Sequence, residues 1–254
     1  MKITFLGTGT SHGVPMIGCR CRVCSSDDPR DKRSRPSVWI QAASELSLLI
    51  DTSPDLRHQA LTFGIDRVDA ILYTHSHADH VLGFDEVRRF NALQRGPIQA
   101  YGDRATLDDL RRMFAYAFED PPAMGGGVPQ LDPHVIEGPF HVGSVECIPV
   151  PIMHGAREIL GFRVGGFAYL TDCSEIPSQS WPLLRDVQVL VLSALRHRPH
   201  PTHMTLAAAI ETAQRVGARR TLFTHMCHDL GHAETSAILP AGMELAYDGL
   251  VLET

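Results

Sequence analysis

Short apolar runs alternate with helical stretches along the chain. The runs are rich in β-branched or aromatic residues and are bounded by Gly, Pro, Asp or Ser, which is typical of strands. They predict strands at Ile3–Leu6, Val38–Ala42, Leu46–Ile50, Ala70–Tyr73, Val145–Val150, Phe162–Val164, Phe167–Leu170, Val187–Leu192, Thr221–Phe223 and Met243–Ala246. An Asp-Gly pair at the centre of residues 247–250 predicts a hairpin turn near the C-terminus.

Helices are indicated by capping residues and by apolar spacing. Ser53 followed by Pro54 is typical of a helix start, and Gly64 of its end. Three further helices are predicted over Asp85–Leu93, Arg104–Phe118 and Thr205–Val216. Residues 119–133 are crowded with Pro and Gly, so they are predicted to form an irregular surface loop, with a lid as one interpretation.

The composition is that of an ordinary globular protein, with 44% hydrophobic residues, 20% charged residues and a net charge of −6 over 254 residues. We expect residues 1–254 to form one domain. No apolar run approaches the roughly 18 residues of a membrane span, and the N-terminus lacks the apolar core of a signal peptide. The sequence therefore predicts a cytoplasmic protein without a membrane partner. The acidic balance argues against large nucleic acids, and a homodimer is left open.

Histidine and carboxylate side chains cluster directly after the predicted strand Ala70–Tyr73. His75 and His77 alternate along an extended segment, so both can face one metal. Asp79 and His80 come at the turn into a helix and can face a second metal beside the first. Imidazole and carboxylate ligands suit Zn²⁺, Mn²⁺ or Fe²⁺.

A second candidate metal site is rich in sulfur. Cys19, Cys21 and Cys24 place three thiols within six residues, which suits a tetrahedral Zn²⁺ that still needs a fourth ligand. His228 is the preferred candidate and Cys227 the alternative. A disulfide between Cys19 and Cys24 is the competing interpretation, although a reducing compartment disfavours it.

The motif His75-x-His77-x-Asp79-His80 after a strand resembles the signature of the metallo-β-lactamase superfamily. That resemblance implies an α/β fold, the four-layer αββα sandwich. Later ligands of the family appear in order, each after a predicted strand. The first metal would take His75, His77, His154 and Asp172, and the second would take Asp79, His80, Asp172 and His225.

The chemistry expected from the resemblance is hydrolysis. Di-iron oxidoreductases of the superfamily carry Glu at the second position of the motif, where this chain has His77. Two divalent ions, Mn²⁺ or Zn²⁺, would share a hydroxide that attacks the substrate, with Asp79 and Asp172 as catalytic ligands.

The N-terminal loop narrows the resemblance within the superfamily. Residues 7–15, Gly-Thr-Gly-Thr-Ser-x-Gly-Val-Pro, precede Cys-x-Cys-x-x-Cys, as in the phosphoribosyl cyclic phosphodiesterases of the carbon–phosphorus lyase pathway. The resemblance implies a zinc-binding loop at about 11–37, with a structural Zn²⁺ on Cys19, Cys21, Cys24 and His228. Because His225 and His228 are three residues apart, at most about 10 Å, the two metal sites must be neighbours.

The stretch from Arg196 to Thr205 supplies the candidate for proton transfer. In the phosphodiesterase branch a similar His opens a helix near the phosphate, which favours His203 as acid or phosphate ligand. His200 is the alternative. Thr205 and His12 are candidate substrate-binding residues.

The function predicted from these features is a dinuclear metal phosphodiesterase acting on a small cyclic or nucleotide-like phosphodiester, such as phosphoribosyl cyclic phosphate. A ribonuclease Z-like tRNA endonuclease is one alternative, although the long basic arm of that family is not evident. A thioesterase or lactonase is another. The third is a non-catalytic metal- or ligand-binding protein similar to the pyrroloquinoline quinone biosynthesis protein B, which has a similar Cys-rich loop.

Overall fold

The computed structural model describes residues 1–42, 46–118 and 127–254. Within them, one sheet contains β1 (Lys2–Gly7), β2 (Ser37–Gln41), β3 (Ser47–Ile50), β4 (Ala70–Leu72), β5 (Ile98–Gly102), β6 (Leu131–Val135) and β14 (Val251–Glu253). The other contains β7 (Phe140–Val142), β8 (Val145–His154), β9 (Arg157–Val164), β10 (Phe167–Leu170), β11 (Val189–Ser193), β12 (Arg220–Thr224) and β13 (Met243–Leu245). The α-helices are α1 (Leu56–Phe63), α2 (Ala78–Val81), α3 (Val87–Gln94), α4 (Arg104–Met113), α5 (Leu206–Val216) and α6 (His232–Ser236).

The two sheets have similar internal order. The first runs β14-β1-β2-β3-β4-β5-β6 and the second β13-β12-β11-β10-β9-β8-β7. In each, one half pairs antiparallel, while β3 to β6 and β10 to β13 pair parallel. Parallel neighbours need crossover connections, and these supply the helices on the outer faces.

Three apolar clusters separate the layers. The cluster between the sheets contains Ile40 and Leu48 from one sheet and Phe162 and Tyr169 from the other. A second cluster packs α1, α3 and α4 against the outer face of the first sheet, and a third packs α5 against the outer face of the second. This is the predicted αββα sandwich, which is confirmed. Among the described residues, no helix is long and apolar enough to cross a bilayer.

Several local predictions differ from the structure. Strands β5, β6, β7 and β14 were not predicted from the apolar pattern. β6 occupies Leu131–Val135 and so begins within the last three residues of the segment predicted as loop, 119–133. Pro133 is tolerated there because β6 is an edge strand. Residues 119–126 of that segment, and with them the lid interpretation, lie outside the described residues.

The C-terminal hairpin prediction is wrong. Leu250 N donates to Tyr247 O at 3.0 Å, so the Asp-Gly pair does form a turn. The strands on either side belong to different sheets, β13 to the second and β14 to the first. The reason is that Asp248 does not support strand pairing but accepts hydrogen bonds from Thr8 and Ser34.

The predicted helices are largely present with shifted ends. α1 begins at Leu56, after Asp55, rather than at Pro54, and Gly64 closes it with φ 68°. α4 ends at Met113, where a short 3₁₀ turn over Ala115–Ala117 replaces the last predicted part.

Candidate active site

The candidate metal ligands sit where strands end. His75 and His77 follow β4, His154 is the last residue of β8, Asp172 follows β10 and His225 follows β12. The short helix α2, directly after His77, carries Asp79 and His80. Both sheets therefore deliver polar side chains to one edge of the sandwich, and rigid strands fix where each side chain starts.

All seven residues come together as two adjacent clusters. Donor atoms of His75, His77, His154 and Asp172 lie within 4.8 Å of one another, and so do those of Asp79, His80, Asp172 and His225. Asp172 belongs to both. Its Oδ1 lies 3.3 Å from His80 Nε2 and 3.2 Å from His225 Nε2, while its Oδ2 lies 3.7 Å from His75 Nε2. The carboxylate thus presents one oxygen to each cluster.

The donor atoms fit divalent metals. Nε2 of His75 and Nε2 of His80 are buried and have no hydrogen-bond partner among the described residues. A buried polar atom without a partner is costly, and a cation bound in each cluster would satisfy the nitrogen that belongs to it. Imidazole nitrogen and carboxylate oxygen are suitable ligands for Zn²⁺ and Mn²⁺.

Two imidazoles are oriented by partners on their other nitrogen. His80 Nδ1 lies 2.7 Å from Asp51 Oδ2, and Asp51 also accepts hydrogen bonds from the Thr74 N–H and hydroxyl, both at 2.8 Å. His154 Nδ1 donates to the carbonyls of Asp172 and Thr202, both at 2.9 Å. In each ring this leaves Nε2 as the atom available to a metal.

Asp51 was not identified from the sequence. It follows the strand β3, which lies beside β4 in the sheet, so the end of β3 is next to the histidine motif. The available signal was a carboxylate directly after a buried strand, close to the position of Asp172, which is the second residue after β10.

The backbone is strained at three of these residues. Asp51, Asp172 and His225 have φ values of 62°, 56° and 57°, in the left-handed region that residues with a side chain rarely adopt. Each such conformation costs about 1–3 kcal/mol and persists only where the surroundings over-determine it. The strain turns these side chains out of their strands toward the clusters.

The sulfur cluster forms beside the first two. His228 Nδ1 lies 3.2 Å from Cys19 Sγ, 3.4 Å from Cys21 Sγ and 3.5 Å from Cys24 Sγ, and all four donor atoms lie within 4.8 Å of one another. The cysteines are free thiols, and Cys227 is not part of the cluster. Among the described residues the structure therefore brings His228, rather than Cys227, to the three thiols.

The thiols differ in acidity. A hydrogen bond from the Cys24 backbone N–H lowers the pKa of Cys21 to about 6. Burial raises the pKa of Cys24 to about 11.

His203 lies against both catalytic clusters. Its ring centroid is 4.8 Å from that of His154 and 4.8 Å from that of His225. Burial lowers its pKa to about 3, so the imidazole is neutral. His203 Nδ1 has no hydrogen-bond partner among the described residues. His200 is farther from the clusters, 5.0 Å from the His203 ring, and its Nδ1 accepts from the Thr202 N–H at 3.3 Å.

The two tentative substrate-binding residues lie in different settings. Thr205 is the N-cap of α5, where its hydroxyl accepts a hydrogen bond from Ala208 N at 3.2 Å. His12 is exposed and lines a cavity of about 280 Å³ together with His203 and His200. The same cavity is lined by Arg196 and Arg198, which the sequence analysis did not single out, although they belong to the same His-rich stretch.

Residues 47–226 match the family described as the beta-lactamase superfamily domain. Among solved structures, the chain is 46% identical to a diphosphatase from the PhnP family, covering 100% of this chain and 97% of that one with a TM-score of 0.93. The Zn²⁺-bound PqqB from Methylobacterium extorquens shares the fold, with 19% identity, complete coverage of both chains and a TM-score of 0.77.

A curated relative is an octanoyltransferase from Porphyromonas gingivalis, 39% identical over 252 residues. The match covers 98% of this chain and 51% of that protein, so the chain spans about half the length of this relative. The family match and the PhnP-family structure agree with each other and with the clustered metal-binding side chains. The chain belongs to the β-lactamase superfamily and, within it, to the PhnP family.

Proposed function

We propose that this protein is a dinuclear metal phosphodiesterase that hydrolyses a small cyclic or nucleotide-like phosphodiester. The observation that carries the proposal is the position of His203, whose ring lies 4.8 Å from one histidine of each catalytic cluster. An imidazole there can contact a phosphate held across both clusters. The same side chain lines the cavity beside the clusters, where a small substrate would be bound.

The first catalytic metal would be held by His75, His77, His154 and Asp172, and the second by Asp79, His80, Asp172 and His225. When bound, two such ions supply Lewis acidity and activate water at neutral pH. Asp172 would contribute to both positions, because its carboxylate belongs to both clusters, and Asp51 keeps His80 in the tautomer that presents Nε2. A Zn²⁺ on Cys19, Cys21, Cys24 and His228 would be structural.

His203 is the group that contacts the reacting phosphate. Because its pKa of about 3 leaves the imidazole neutral, it acts as a hydrogen-bonding partner of a phosphate oxygen rather than as a proton donor. Such a partner must lie within hydrogen-bond reach of the reacting atoms. His200 is less suited because its Nδ1 already contacts the N–H and hydroxyl of Thr202. Among the described residues its ring packs against His203 and not against a histidine of either cluster.

The cavity next to His203 favours a small anionic substrate. Its volume of about 280 Å³ is at the small end of ligand pockets. Arg196 and Arg198 line it together with four histidines, His12, His200, His203 and His228, and with Asp229, whose carboxylate lies 3.4 Å from the Arg198 guanidinium. Guanidinium groups are well matched to phosphate oxygens, whereas a thioester or a lactone brings no negative charge for them.

A diphosphate is the second candidate substrate. It is favoured by the 46% identity to a protein described as a diphosphatase. The broken bond is again between phosphorus and oxygen, and the same arrangement of clusters and His203 serves both substrates.

The test measures hydrolysis of bis-p-nitrophenyl phosphate, a small nucleoside diphosphate, a thioester and a lactone, each with Mn²⁺ or Zn²⁺ added. We expect turnover of the phosphodiester by the wild type and loss of turnover in His203→Ala. His141→Ala, an exposed histidine on β7, is the matched control and should retain full activity. Turnover of the diphosphate alone would select the second candidate. Turnover of the thioester or lactone without the phosphodiester would contradict the proposal.

A further inference from the structure

Arg33 is a buried cation outside the proposed catalytic machinery. None of its side chain is exposed, and the side chain of its ion-pair partner Asp31 is 7% exposed. Removing a charged pair from water is costly unless hydrogen bonds satisfy the remaining donors and acceptors. The hydrogen bonds of Arg33 therefore indicate which parts of the chain this buried ion pair connects.

Those contacts connect the zinc-binding loop to one other segment. Arg33 Nη1 donates to the Cys227 carbonyl at 3.1 Å, and Nη2 donates to the Leu230 carbonyl at 2.6 Å and to Asp31 Oδ1 at 3.1 Å. Asp31 Oδ1 in turn accepts the N–H of His232 at 2.8 Å. The Arg33–Asp31 pair thus holds the backbone of residues 227–232 at three points.

The segment to which Arg33 hydrogen-bonds adjoins or contains candidate ligands of both kinds of metal site, the catalytic and the cysteine site. His225 belongs to the second catalytic cluster, and His228 belongs to the cysteine cluster. His225 has a φ of 57°, a strained conformation that needs support from its neighbours. Met226 is held on one side by backbone bonds to Thr8 and Thr10, and Arg33 holds the chain on the other side at Cys227.

We propose that Arg33 is a positioning residue that fixes the 225–230 segment so that His225 reaches the second catalytic cluster and His228 reaches the cysteines. The inference rests on the proposed function only in taking these two histidines as metal ligands. It does not depend on which phosphate ester is the substrate.

The proposal makes a selective prediction about metal binding. Three ligands belong to the first catalytic cluster alone: His75 and His77, which follow β4, and His154, which ends β8. The hydrogen bonds of the Arg33 side chain described above go to other segments. Loss of Arg33 should weaken the second catalytic site and the cysteine site and leave the first catalytic site occupied.

The experiment titrates metal-depleted Arg33→Met with Mn²⁺ by calorimetry and measures release of Zn²⁺ to a colorimetric chelator. We expect the variant to retain one of two catalytic equivalents and to release Zn²⁺ at least about tenfold faster than the wild type. Arg33→Lys keeps the charge but cannot reach both carbonyls and Asp31 together, so it should show the same pattern more weakly. If Arg33→Met does not fold, the metal titration and Zn²⁺ release of Arg33→Lys test the proposal instead.

Arg163→Met is the matched control. Arg163, like Arg33, donates hydrogen bonds to backbone carbonyls, here those of Gly165, Leu183 and Arg185. It lies on β9 of the second sheet, and these partners contain no ligand of any cluster. It should lower the melting temperature without changing metal stoichiometry. The proposal is overturned if Arg33→Lys binds both catalytic equivalents and holds Zn²⁺ as the wild type does. Equal weakening of all three sites, or the same selective loss in Arg163→Met, also overturns it.

If the wild type hydrolyses neither bis-p-nitrophenyl phosphate nor the diphosphate, the proposed function fails. The metal titration still decides whether Arg33 positions the segment.

Discussion

The carboxylate of Asp51 contacts His80 at Nδ1, the ring nitrogen opposite the one that faces the metal cluster, with 2.7 Å between Oδ2 and Nδ1. This contact keeps the proton on Nδ1 and leaves Nε2 for a metal. We expect Asp51→Asn to weaken binding at the second catalytic site by about 10- to 100-fold, because the amide removes the charge that polarises the ring. Isothermal titration with Mn²⁺ or Zn²⁺ measures the change. Asp132→Asn, at an exposed carboxylate on β6, should bind metal normally; equal losses in both variants would contradict this role.

His203→Ala should lower kcat without lowering metal content. The imidazole touches both clusters but is not among the seven ligand residues, so the metals should remain bound. Loss of one hydrogen bond that stabilises charge in the transition state costs about 10²- to 10³-fold in rate. Steady-state kinetics and elemental analysis on the same sample make the comparison. His200→Ala should have a smaller effect on kcat, and the reverse order would exchange their roles.

Removal of zinc should change the number of reactive thiols. In the metal-loaded protein Cys19, Cys21 and Cys24 are expected to be protected from a thiol reagent at pH 7, because coordinated thiolates are poor nucleophiles. After chelation they should react, with Cys21 fastest, since its pKa of about 6 makes it a thiolate at this pH.

Cys147 provides the internal control for this titration. It is fully buried, and burial raises its pKa to about 12, so it should react only on unfolding. Cys21→Ser should lose one zinc equivalent and melt at a lower temperature. Unchanged zinc content and melting temperature in this variant would exclude the structural site.

Asp248→Asn should destabilise the fold. The carboxylate accepts four hydrogen bonds, from the N–H and hydroxyl of Thr8 and from those of Ser34, at 2.6–2.9 Å. An amide would place its NH₂ against donors and leave them unpaired, which costs about 2–3 kcal/mol of unfolding free energy. Denaturant unfolding measures the loss, and Asp66→Asn, at an exposed position, should be neutral. A neutral Asp248→Asn would mean that water replaces these contacts.

The same carboxyl should give stability a defined pH dependence. Burial raises the pKa of Asp248 from 3.8 to about 6. Between these values the folded protein holds a proton that the unfolded chain has released, so the contribution of Asp248 to stability falls as pH rises through this window. The difference in melting temperature between wild type and Asp248→Asn should therefore shrink from pH 4 to pH 6.5. A difference that widens with pH would show the opposite shift.

Sequence analysis could identify candidate ligands that lie close together along the chain. It could not identify residues that are brought together only by the order of strands in a sheet. His75, His77, Asp79 and His80 lie within six residues after a predicted strand, so their spacing alone indicated a metal. Asp51 and His80 are 29 residues apart and meet only because β3 and β4 are neighbours. Arg33 could not be placed either, since a buried arginine looks like a surface arginine until the loop around it is folded.

Strand prediction failed where the pattern was weak. β6 contains Asp132, Pro133 and His134, which give it no apolar alternation, and its place at the edge of the sheet tolerates them. The residues after Asp248 were assigned to a hairpin because a local turn signal cannot tell which sheet the next strand will join.

The candidate metal ligands are divided between the two sheets, so metal binding would depend on the docking of the two halves. One sheet contributes the histidine motif, and the other contributes His154, Asp172 and His225. Neither half can hold a metal with a full set of donors, so tight binding begins only when the two halves have docked. Ions that bind the docked state alone will shift the equilibrium toward it and raise the melting temperature with their concentration. In a cell short of the metal, this protein would lose conformational stability together with its activity.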